Sequence, residues 1–461
     1  MKPQVSFDYK NALASVVGRE GLDVSQLNVK AASEAVRTFR RRAASGQIGF
    51  PKLPNDSSTV QNVLEFAEQT RPTLDVVVLL GIGGSALGAQ ALDGALRGPH
   101  PFQGIRGKKG GRQPRLVVLD NVDPGIVTAA IAQLNPKRTA VCVVTKSGST
   151  AETMATFLVV HGWMRAALGN RVRERVIAIT DPQKGDLLAI ARQEGYPLFL
   201  IPPNVAGRFS VFSCAGLVPA ALVGIDIRKL LHGAADASEL CWQDSIETNP
   251  ALASALLHHA LVTQKGKTIE AVFAYSSYLW GTARWYRQLW AESLGKEIDR
   301  KGRRVEAGQT PIASLGPNDQ HSQLQLYLEG PRDKMITFWA VGRPRAEVIV
   351  PRAFSRYGSC SYLGGKRLSE LLNAERVATE AALTQAGRPN CRWSLPRIDE
   401  YHLGAFLQIL HFQTAFAGEL FNVDAFDQPA VELGRKIGYS LMGRRGHEHY
   451  ARELRASGQK N

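Results

Sequence analysis

Five short apolar runs alternate with stretches of helical pattern between residues 75 and 201, and this alternation limits the possible folds more than any other feature. The predicted strands are 76–80, 116–119, 140–144, 176–179 and 198–201. Strands that alternate with helices predict a doubly wound parallel sheet of the α/β class. Ligands of such sheets bind beyond the carboxyl ends of the strands, so a site is expected in the loops that follow them.

A second series of strands and helices follows, so the 461 residues are predicted to form two α/β domains with helical extensions. Its predicted strands are 268–274, 311–315, 335–340 and 347–350, with helices at 279–294 and 319–328. A helix at 211–223 is predicted between the two series. Other helices are predicted at 30–42, after a cap at Ser57 or Ser58, and at 366–386, 401–420 and 429–442. The predicted domains are 1–70 (N-terminal helical extension), 71–230 (first α/β domain), 231–400 (second α/β domain) and 401–461 (C-terminal helical segment).

A loop rich in hydroxyl groups, residues 145–150 with the sequence TKSGST, connects the third strand to the next helix. The first N–H groups of a helix lack intrahelical partners, and the helix dipole favours negative charge there. Four hydroxyls, a lysine and a glycine exceed what one helix cap needs, although Thr150 is also an ordinary capping residue. The loop therefore predicts a phosphate-binding site, with capping alone as the alternative.

The turn after the first strand, residues 81–86 with the sequence GIGGSA, matches the dinucleotide-binding fingerprint in its final-alanine form. That fingerprint requires an acidic residue about twenty positions further on. The candidate, Asp120, lies 39 residues beyond Gly81, across an insertion rich in Gly, Lys and Arg. A dinucleotide site is therefore the weaker interpretation of this turn.

Three positions in later segments are candidates for chemistry. Gln288 and Glu292 are four residues apart on a predicted helix, so both project from one face. Arg208 precedes a predicted helix, where it can face an anion or simply lie on the surface. His321 follows a predicted strand at the ligand edge of the second sheet. Each of these residues alone is more often a surface, capping or core residue than a catalyst.

The net charge of +15 raises the possibility of nucleic-acid binding. The basic clusters are scattered, at 40–42, 108–115, 300–304 and 444–445, and none lies on a recognisable reading motif. A small anionic substrate accounts for the basic bias better than a specific nucleic acid does.

Five cysteines without regular spacing indicate neither a disulfide framework nor a zinc site. With no signal-peptide core and no run of membrane-spanning length, a cytoplasmic location without membrane contact is expected.

Six segments, in this order, resemble the glucose-6-phosphate isomerase (phosphoglucose isomerase) family: LLGIGGSALGAQAL, TKSGSTAET, GRFSVFS, WAESLGKE, GPNDQHSQLQL and FDQPAVELGRK. The resemblance implies two sugar-isomerase (SIS) domains with flavodoxin-like parallel sheets. It also implies an aldose–ketose isomerase that interconverts glucose 6-phosphate and fructose 6-phosphate through ring opening and a cis-enediol intermediate. Neither a cofactor nor a metal is expected, since a carboxylate base and a guanidinium supply what such a proton transfer needs.

The resemblance also implies a role for each matching position. The substrate phosphate would be held by Thr145, Lys146, Ser147 and Thr150, with Gly84 and Ser85 lining the same pocket. Glu292 would be the base that moves a proton between C2 and C1, and Arg208 would stabilise the enediolate. Gln288 and Gln428 would lie beside the sugar. His321 would assist ring opening from the neighbouring subunit of a homodimer.

The chain departs from the family pattern at one position. The family usually has lysine where this chain has Arg435, which is followed by Lys436. A guanidinium stays protonated at ordinary pH and is a poor general acid. Either Arg435 therefore acts only as a cationic hydrogen-bond donor, or Lys436 takes the lysine's place.

Two other functions stay open at this stage: a dual phosphoglucose/phosphomannose isomerase, and a sugar-phosphate-binding module without catalysis.

Overall fold

A computed structural model describes residues 4–99 and 113–456 of the chain. Residues 108–112 of the basic cluster at 108–115 lie outside this range. Within it, most of the helices and strands form two α/β units, each built on a five-stranded sheet. The boundaries proposed above for the four segments of the chain stay a prediction.

The strands of the described residues are β1 (Ser6–Asp8), β2 (Val76–Leu80), β3 (Arg115–Leu119), β4 (Thr139–Val144), β5 (Val176–Thr180), β6 (Leu198–Leu200), β7 (Ile269–Ala274), β8 (Lys296–Ile298), β9 (Arg304–Ala307), β10 (Thr310–Leu315), β11 (Lys334–Arg343) and β12 (Asn390–Arg397). The helices are α1 (Ala14–Val17), α2 (Val29–Ala44), α3 (Ser57–Thr70), α4 (Leu87–Leu96), α5 (Pro124–Gln133), α6 (Ala151–Leu168), α7 (Asp186–Glu194), α8 (Cys214–Leu222), α9 (Ile227–Cys241), α10 (Pro250–Lys265), α11 (Trp280–Leu294), α12 (Leu324–Glu329), α13 (Gly358–Ser361), α14 (Leu368–Gln385), α15 (Glu400–Leu420), α16 (Glu432–Leu441) and α17 (Glu448–Ala456).

The first sheet has the strand order β3-β2-β4-β5-β6, and every pair in it is parallel. Strands β2, β4 and β5 are buried along their whole lengths, as expected for apolar strands covered by helices on both faces. This order is the flavodoxin-like one, and the predicted doubly wound parallel sheet is confirmed. The loops 81–86 and 145–150 follow the neighbouring strands β2 and β4, so they lie at the same edge.

The second sheet has the order β1-β12-β11-β7-β10, with four parallel strands and β1 antiparallel at one edge. Neither β1 nor β12 was predicted from the sequence. Strand β12 contains Pro396 and begins with polar Asn390, which is typical of a loop. Its pairing with β1 involves residues 392–394 and ends before Pro396, so the missing N–H of the proline is tolerated there.

The predicted strand at 347–350 is wrong. Only Ile349 forms an isolated bridge, with Arg367, and Val348 and Ile349 are 57% and 62% exposed. Prolines at 344 and 351 bracket the segment, so an apolar run of strand length lies outside the sheet.

Three helix starts also differ from expectation. Asp56, rather than Ser57 or Ser58, caps α3 by accepting a hydrogen bond from the Thr59 amide at 3.1 Å. The predicted helix at 211–223 begins only at Cys214, after a single 3₁₀ turn at Gly207–Phe209. The predicted helix at 319–328 is divided into a 3₁₀ turn, Asn318–His321, and α12.

Helix α15 is buried at residues 403–419 and forms the centre of the molecule. It packs against α2, α9, α10 and α11. Helix α11 is also in contact with α4 of the first unit and with β10 of the second. The helix that carries Gln288 and Glu292 is therefore fixed between the two sheets.

Candidate active site

The hydroxyl loop 145–150 forms a triangle of oxygen atoms. Thr145 Oγ1 lies 2.8 Å from Thr150 Oγ1 and 3.3 Å from Ser147 Oγ, and Ser147 Oγ lies 3.2 Å from Thr150 Oγ1. Thr150 has the extended backbone of a helix cap, yet its side chain makes no capping hydrogen bond to α6. Capping therefore does not explain the three hydroxyls, which converge at the amino end of an 18-residue helix where an anion is favoured.

A close backbone approach holds this loop in place. Gly148 and Gly185 both have positive φ, of 69° and 103°, and a Cβ on Gly148 would lie 2.6 Å from the Gly185 Cα. The Thr180 hydroxyl donates to the Thr145 carbonyl at 2.7 Å. Leu187 N donates to Gly148 O at 3.0 Å, which ties the loop to α7. Glycine is required at 148 because no side chain fits there.

The Lys146 side chain turns away from the hydroxyl triangle. Its ammonium donates to the carbonyls of Pro203 and Val205, at 2.7 and 2.8 Å. Burial lowers the pKa of Lys146, although the nearby Asp181 carboxylate opposes the shift. In this structure Lys146 therefore anchors the loop to residues 203–205 and brings positive charge to the region without pointing at the three hydroxyls.

The turn at 83–85 connects the first sheet to the other candidate residues. A Cβ on Gly84 would lie 2.3 Å from the carbonyl carbon of Gly207, so only glycine allows this turn to touch the segment that carries Arg208. A Cβ on Gly83 would lie 2.8 Å from Gln288 Nε2, which shows how near the turn comes to α11. Ser85 is half-buried in the same turn. The turn thus brings Arg208 and Gln288 to the ligand edge of the first sheet.

Arg208 is buried, with 2% of its surface exposed. Its Nε donates to Ser293 Oγ at 2.7 Å and its Nη1 to Gln428 Oε1 at 3.0 Å. Its Nη2 donates to the carbonyls of Ala425 and Asp427, at 2.5 and 2.9 Å. Burial lowers the pKa of Arg208, and the neighbouring Glu292 carboxylate opposes the shift. A guanidinium remains charged even so, which makes Arg208 a fixed positive charge in a position from which water is excluded.

The Glu292 carboxylate lies between the Arg208 guanidinium and the side-chain amide of Gln288. Its Oε1 is 3.4 Å from Arg208 Nη1, and its Oε2 accepts a hydrogen bond from Gln288 Nε2 at 2.8 Å. The carboxylate is 25% exposed, so a ligand can reach it. The structure therefore brings together Arg208, Gln288, Glu292 and Gln428, for which the family resemblance implied one common site.

Lys296 and Ser293 had no role predicted from the sequence, although both lie in the WAESLGKE segment. The Lys296 ammonium donates to the carbonyls of Glu292 and Ser293, at 2.9 and 3.0 Å, and so caps the end of α11. Burial and the Arg208 charge lower the pKa of Lys296. Lysine in the last turn or just beyond a helix is the signal that could have identified it. Both residues hold the end of α11, and with it Glu292, in a defined position.

His321 is exposed on the 3₁₀ turn that follows β10. Within residues 4–99 and 113–456, no hydrogen bond or ion pair involves its side chain. Its neighbours are fixed: Gln320 donates to the Thr379 hydroxyl, and Asp319 accepts from the Leu315 amide at 2.6 Å. The chain thus presents His321 outward on an ordered turn, and does not bring it into hydrogen bonding with Glu292.

The C-terminal helix α16 also carries an exposed candidate. Arg435 Nη1 donates to Glu432 Oε1 at 2.8 Å, and each of the two side chains is 50% exposed. Lys436 points elsewhere, with its ammonium 6.0 Å from the centre of the Tyr450 ring. The Tyr439 hydroxyl donates to the Ser149 carbonyl at 3.5 Å, so α16 does reach the hydroxyl loop. In this structure the pairing of Arg435 with its acidic helix neighbour is present.

Comparison with known proteins identifies the family. The phosphoglucose isomerase family model matches residues 58–457. The glucose-6-phosphate isomerase of Carboxydothermus hydrogenoformans is 40% identical over 98% of this chain and 97% of the relative. That of Rubrobacter xylanophilus is 42% identical over 96% of this chain and 99% of the relative. The chain belongs to the phosphoglucose isomerase family.

The fold comparison agrees with the family. The crystal structure of a hypothetical protein from Thermus thermophilus superposes with a TM-score of 0.84, at 37% identity, over 95% of this chain and all of that one. The resemblance to phosphoglucose isomerases and the two-unit α/β fold predicted from the sequence are thus confirmed. The two relatives share the single name glucose-6-phosphate isomerase, which does not favour a dual phosphomannose activity or a non-catalytic module.

Three further expectations concerned metals, membranes and disulfides. No group of three or more His, Cys, Asp or Glu side chains that could hold a metal ion occurs in the part of the chain that the structure describes. Over the same residues, no helix is both long and apolar enough to cross a membrane. All five cysteines are free thiols, and burial raises the pKa of Cys142 and of Cys214 to about 12.

Proposed function

We propose that this phosphoglucose isomerase family member interconverts glucose 6-phosphate and fructose 6-phosphate, with Glu292 as the base. The observation that carries the proposal is the position of the Glu292 carboxylate. It lies 3.4 Å from the buried Arg208 and 2.8 Å from Gln288, beside the turn that follows β2. Aldose–ketose isomerisation requires such a base together with a positive charge near the oxygen that becomes anionic.

Binding is proposed to begin with the phosphate. The hydroxyls of Thr145, Ser147 and Thr150 now bond to one another, and each can turn its proton toward a phosphate oxygen instead. The free amide groups at the start of α6 and the helix dipole add to the attraction. Gly84 and Ser85, at the neighbouring strand end, would line the side of the same pocket.

The proton transfer is proposed to follow ring opening. Glu292 takes the proton from C2 and returns it to C1, while the hydroxyl proton passes from O2 to O1. Negative charge develops on these oxygens in the cis-enediol intermediate. Arg208 already engages Ser293, Gln428 and backbone carbonyls, so its proposed contribution is its fixed charge in a water-poor site. Gln288 orients the carboxylate through its 2.8 Å hydrogen bond.

The remaining roles are proposed for groups at the edge of the site. His321 would assist ring opening in a neighbouring subunit, which agrees with its outward position on the chain that carries it. Gln428 lies beside Arg208 and would border the sugar. Arg435 would bring a cation from α16 by leaving Glu432, with Lys436 as the alternative.

A homodimer is proposed as the working form. Large apolar side chains are exposed on the loop after β11, a pattern that supports burial against another copy of the chain. They are Val348, Ile349, Phe354, Tyr357 and Tyr362.

We further propose that the protein works in the cytoplasm, a compartment that suits five free thiols. We also propose that binding of a sugar phosphate, rather than of a specific nucleic acid, is the reason for the net positive charge.

A coupled isomerase assay on the purified protein tests the proposal. Glucose 6-phosphate is expected to be converted to fructose 6-phosphate, and unphosphorylated glucose is expected to be hardly used. Mannose 6-phosphate, assayed under the same conditions, reports on the dual activity. Equal turnover of glucose and glucose 6-phosphate would contradict the phosphate site, and absence of all turnover would contradict the function.

A further inference from the structure

A buried carboxylate outside the proposed site is bonded to the helix that carries the base. Glu270, on β7, is completely buried. Its Oε2 accepts a hydrogen bond from the Tyr286 hydroxyl at 3.0 Å, and its Oε1 accepts one from the Thr337 hydroxyl on β11 at 3.0 Å. Tyr286 lies on α11, six residues before Glu292. A buried carboxylate is costly unless its oxygens find donors, so these contacts strongly specify the local geometry.

A histidine completes the surroundings of this carboxylate. His258 Nε2, on α10, lies 3.4 Å from Glu270 Oε1. The Gln309 amide donates through Nε2 to the Lys267 carbonyl at 2.8 Å, so its Oε1 faces His258 Nδ1 at 3.1 Å as an acceptor. Nδ1 of His258 therefore carries a proton.

Tyr286 connects this buried cluster to a third element. Its hydroxyl oxygen accepts from Gln413 Nε2 on α15 at 3.1 Å while donating to Glu270. Burial and the Glu270 charge raise the pKa of Tyr286 well above its ordinary value, so the hydroxyl keeps its proton. The oxygen is thus held from two sides, between the sheet below α11 and the central helix.

Because Tyr286 and Glu292 lie on the same helix, the hydrogen bond of Tyr286 also restricts the position of Glu292. Six helical residues separate Tyr286 from Glu292 by about 9 Å along the axis and about 120° around it. Tyr286 faces the buried side and Glu292 the accessible side of one rigid helix. A rotation or sliding of α11 that broke the Tyr286 bond would move Glu292 relative to Arg208 and Gln288.

We propose that Glu270 and Tyr286 are positioning residues for the isomerase reaction, which set the rotation and height of α11 so that Glu292 meets the substrate carbon. This inference rests on the proposed role of Glu292 as the base. It assigns to the buried cluster a function in the chemical step, because a displacement of about 1 Å in a catalytic group can lower the rate by a factor of about 10². The rival account is that the apolar packing of Trp285, Leu289 and Trp290 fixes α11 alone, and that the cluster contributes only stability.

The central test variant is Tyr286→Phe, which removes one hydroxyl and keeps the ring. We expect kcat for glucose 6-phosphate to fall about tenfold to hundredfold, with KM changed by less than about twofold, because phosphate binding lies on the first sheet. The matched control is Tyr401→Phe, since the Tyr401 hydroxyl also donates to a carboxylate, Asp236, at 2.6 Å between α15 and α9. The control is expected to lower the melting temperature without changing kcat.

Substitutions at Glu270 supply an independent readout. Glu270→Gln keeps the shape, and its single amide oxygen can still accept from the Tyr286 hydroxyl. Its amide nitrogen then takes the place of Oε1, faces His258 Nε2 and no longer accepts from Thr337. Because the Tyr286 bond is retained, kcat is expected to stay within about threefold of the native value. Glu270→Leu removes the acceptor and is expected to reproduce the loss seen in Tyr286→Phe. Amide hydrogen exchange in α11 without substrate should rise in Tyr286→Phe and not in Tyr401→Phe.

The outcomes separate this inference from the proposed function. If the native enzyme is active and Tyr286→Phe melts earlier but keeps its kcat and its α11 exchange rates, the positioning role is wrong and the function stands. Should Glu270→Leu fail to fold, Tyr286→Phe alone decides the question. If the native enzyme does not isomerise sugar phosphates at all, the failure is that of the proposed function.

Discussion

Removing two hydroxyls from the loop at 145–150 tests whether this loop is the phosphate site. The double variant Ser147→Ala with Thr150→Ala deletes two of the three oxygens that lie within 3.3 Å of one another. The backbone is expected to keep its shape, because Gly148 packs on Gly185 and the Thr145 carbonyl stays bonded to Thr180. The change therefore removes two hydroxyls, together with the 3.3 Å hydrogen bond that Ser147 Oγ accepts from the Ser149 amide.

The size of the effect follows from the charge of the ligand. A hydrogen bond to a charged group contributes about 1.5–3 kcal/mol, so losing two costs about 3–6 kcal/mol of binding. Because each 1.4 kcal/mol is a factor of ten, this corresponds to an increase in KM of about 10² to 10⁴. The Thr145 hydroxyl and the helix amides remain, which favours the lower end, about 10². The phosphate is bound equally in ground and transition states, so kcat should change little.

The assay is steady-state isomerisation of glucose 6-phosphate, with inorganic phosphate as a competitive inhibitor. Inhibition by phosphate should weaken in parallel with KM. Ser149→Ala is the matched control, since its hydroxyl forms no hydrogen bond within the described residues, and it should leave both constants unchanged. If the double variant is folded and its KM and phosphate inhibition equal those of the native enzyme, the loop is not the phosphate site.

Three other predictions concern the C-terminal helix, the subunit partner and acid stability. Arg435→Ala should lower kcat/KM substantially and Arg435→Lys much less, whereas Lys436→Ala should be nearly silent; the reverse pattern would transfer the role to Lys436. Mixing Glu292→Gln with His321→Ala under subunit exchange should restore part of the activity, and a fully active monomer would contradict the shared site. Burial lowers the pKa of His411 to about 3, so the unfolded chain binds a proton below about pH 6.5 that the folded chain does not. The free energy of unfolding should therefore fall by about 2 kcal/mol between about pH 6.5 and 5, and chemical denaturation of His411→Phe should show a smaller fall.

The local sequence pattern was sufficient to predict the positions of the apolar strands. Strands β2 to β7 begin and end within one residue of expectation, because each is a short, mostly apolar run between turn residues. The run at 347–350 has the same composition and stays outside the sheet. Strand membership depends on partners far away in the chain, and β12 shows the converse case, where pairing with β11 and β1 forms a strand from residues that look like a loop.

In the candidate site, too, some contacts could be predicted from the local sequence and others could not. The spacing of Gln288 and Glu292 on one helix correctly predicted their contact, since i,i+4 neighbours share a face. The proximity of Arg208 to Glu292 joins residues 84 positions apart and followed only from the family resemblance. The direction of Lys146, toward carbonyls 203 and 205, depends on a tertiary contact that the motif does not encode. The same holds for Arg435, whose partner in this structure is Glu432.

The most direct test of the proposed chemistry is kcat for glucose 6-phosphate in Glu292→Gln beside the native enzyme. Glutamine keeps the size of the side chain and an oxygen that can accept from Gln288, but it cannot take a proton from C2. We predict a fall in kcat of about 10² to 10⁴ with substrate binding largely retained, because a positioned base contributes that much to such a step. A folded Glu292→Gln enzyme with near-native kcat would show that Glu292 is not the base.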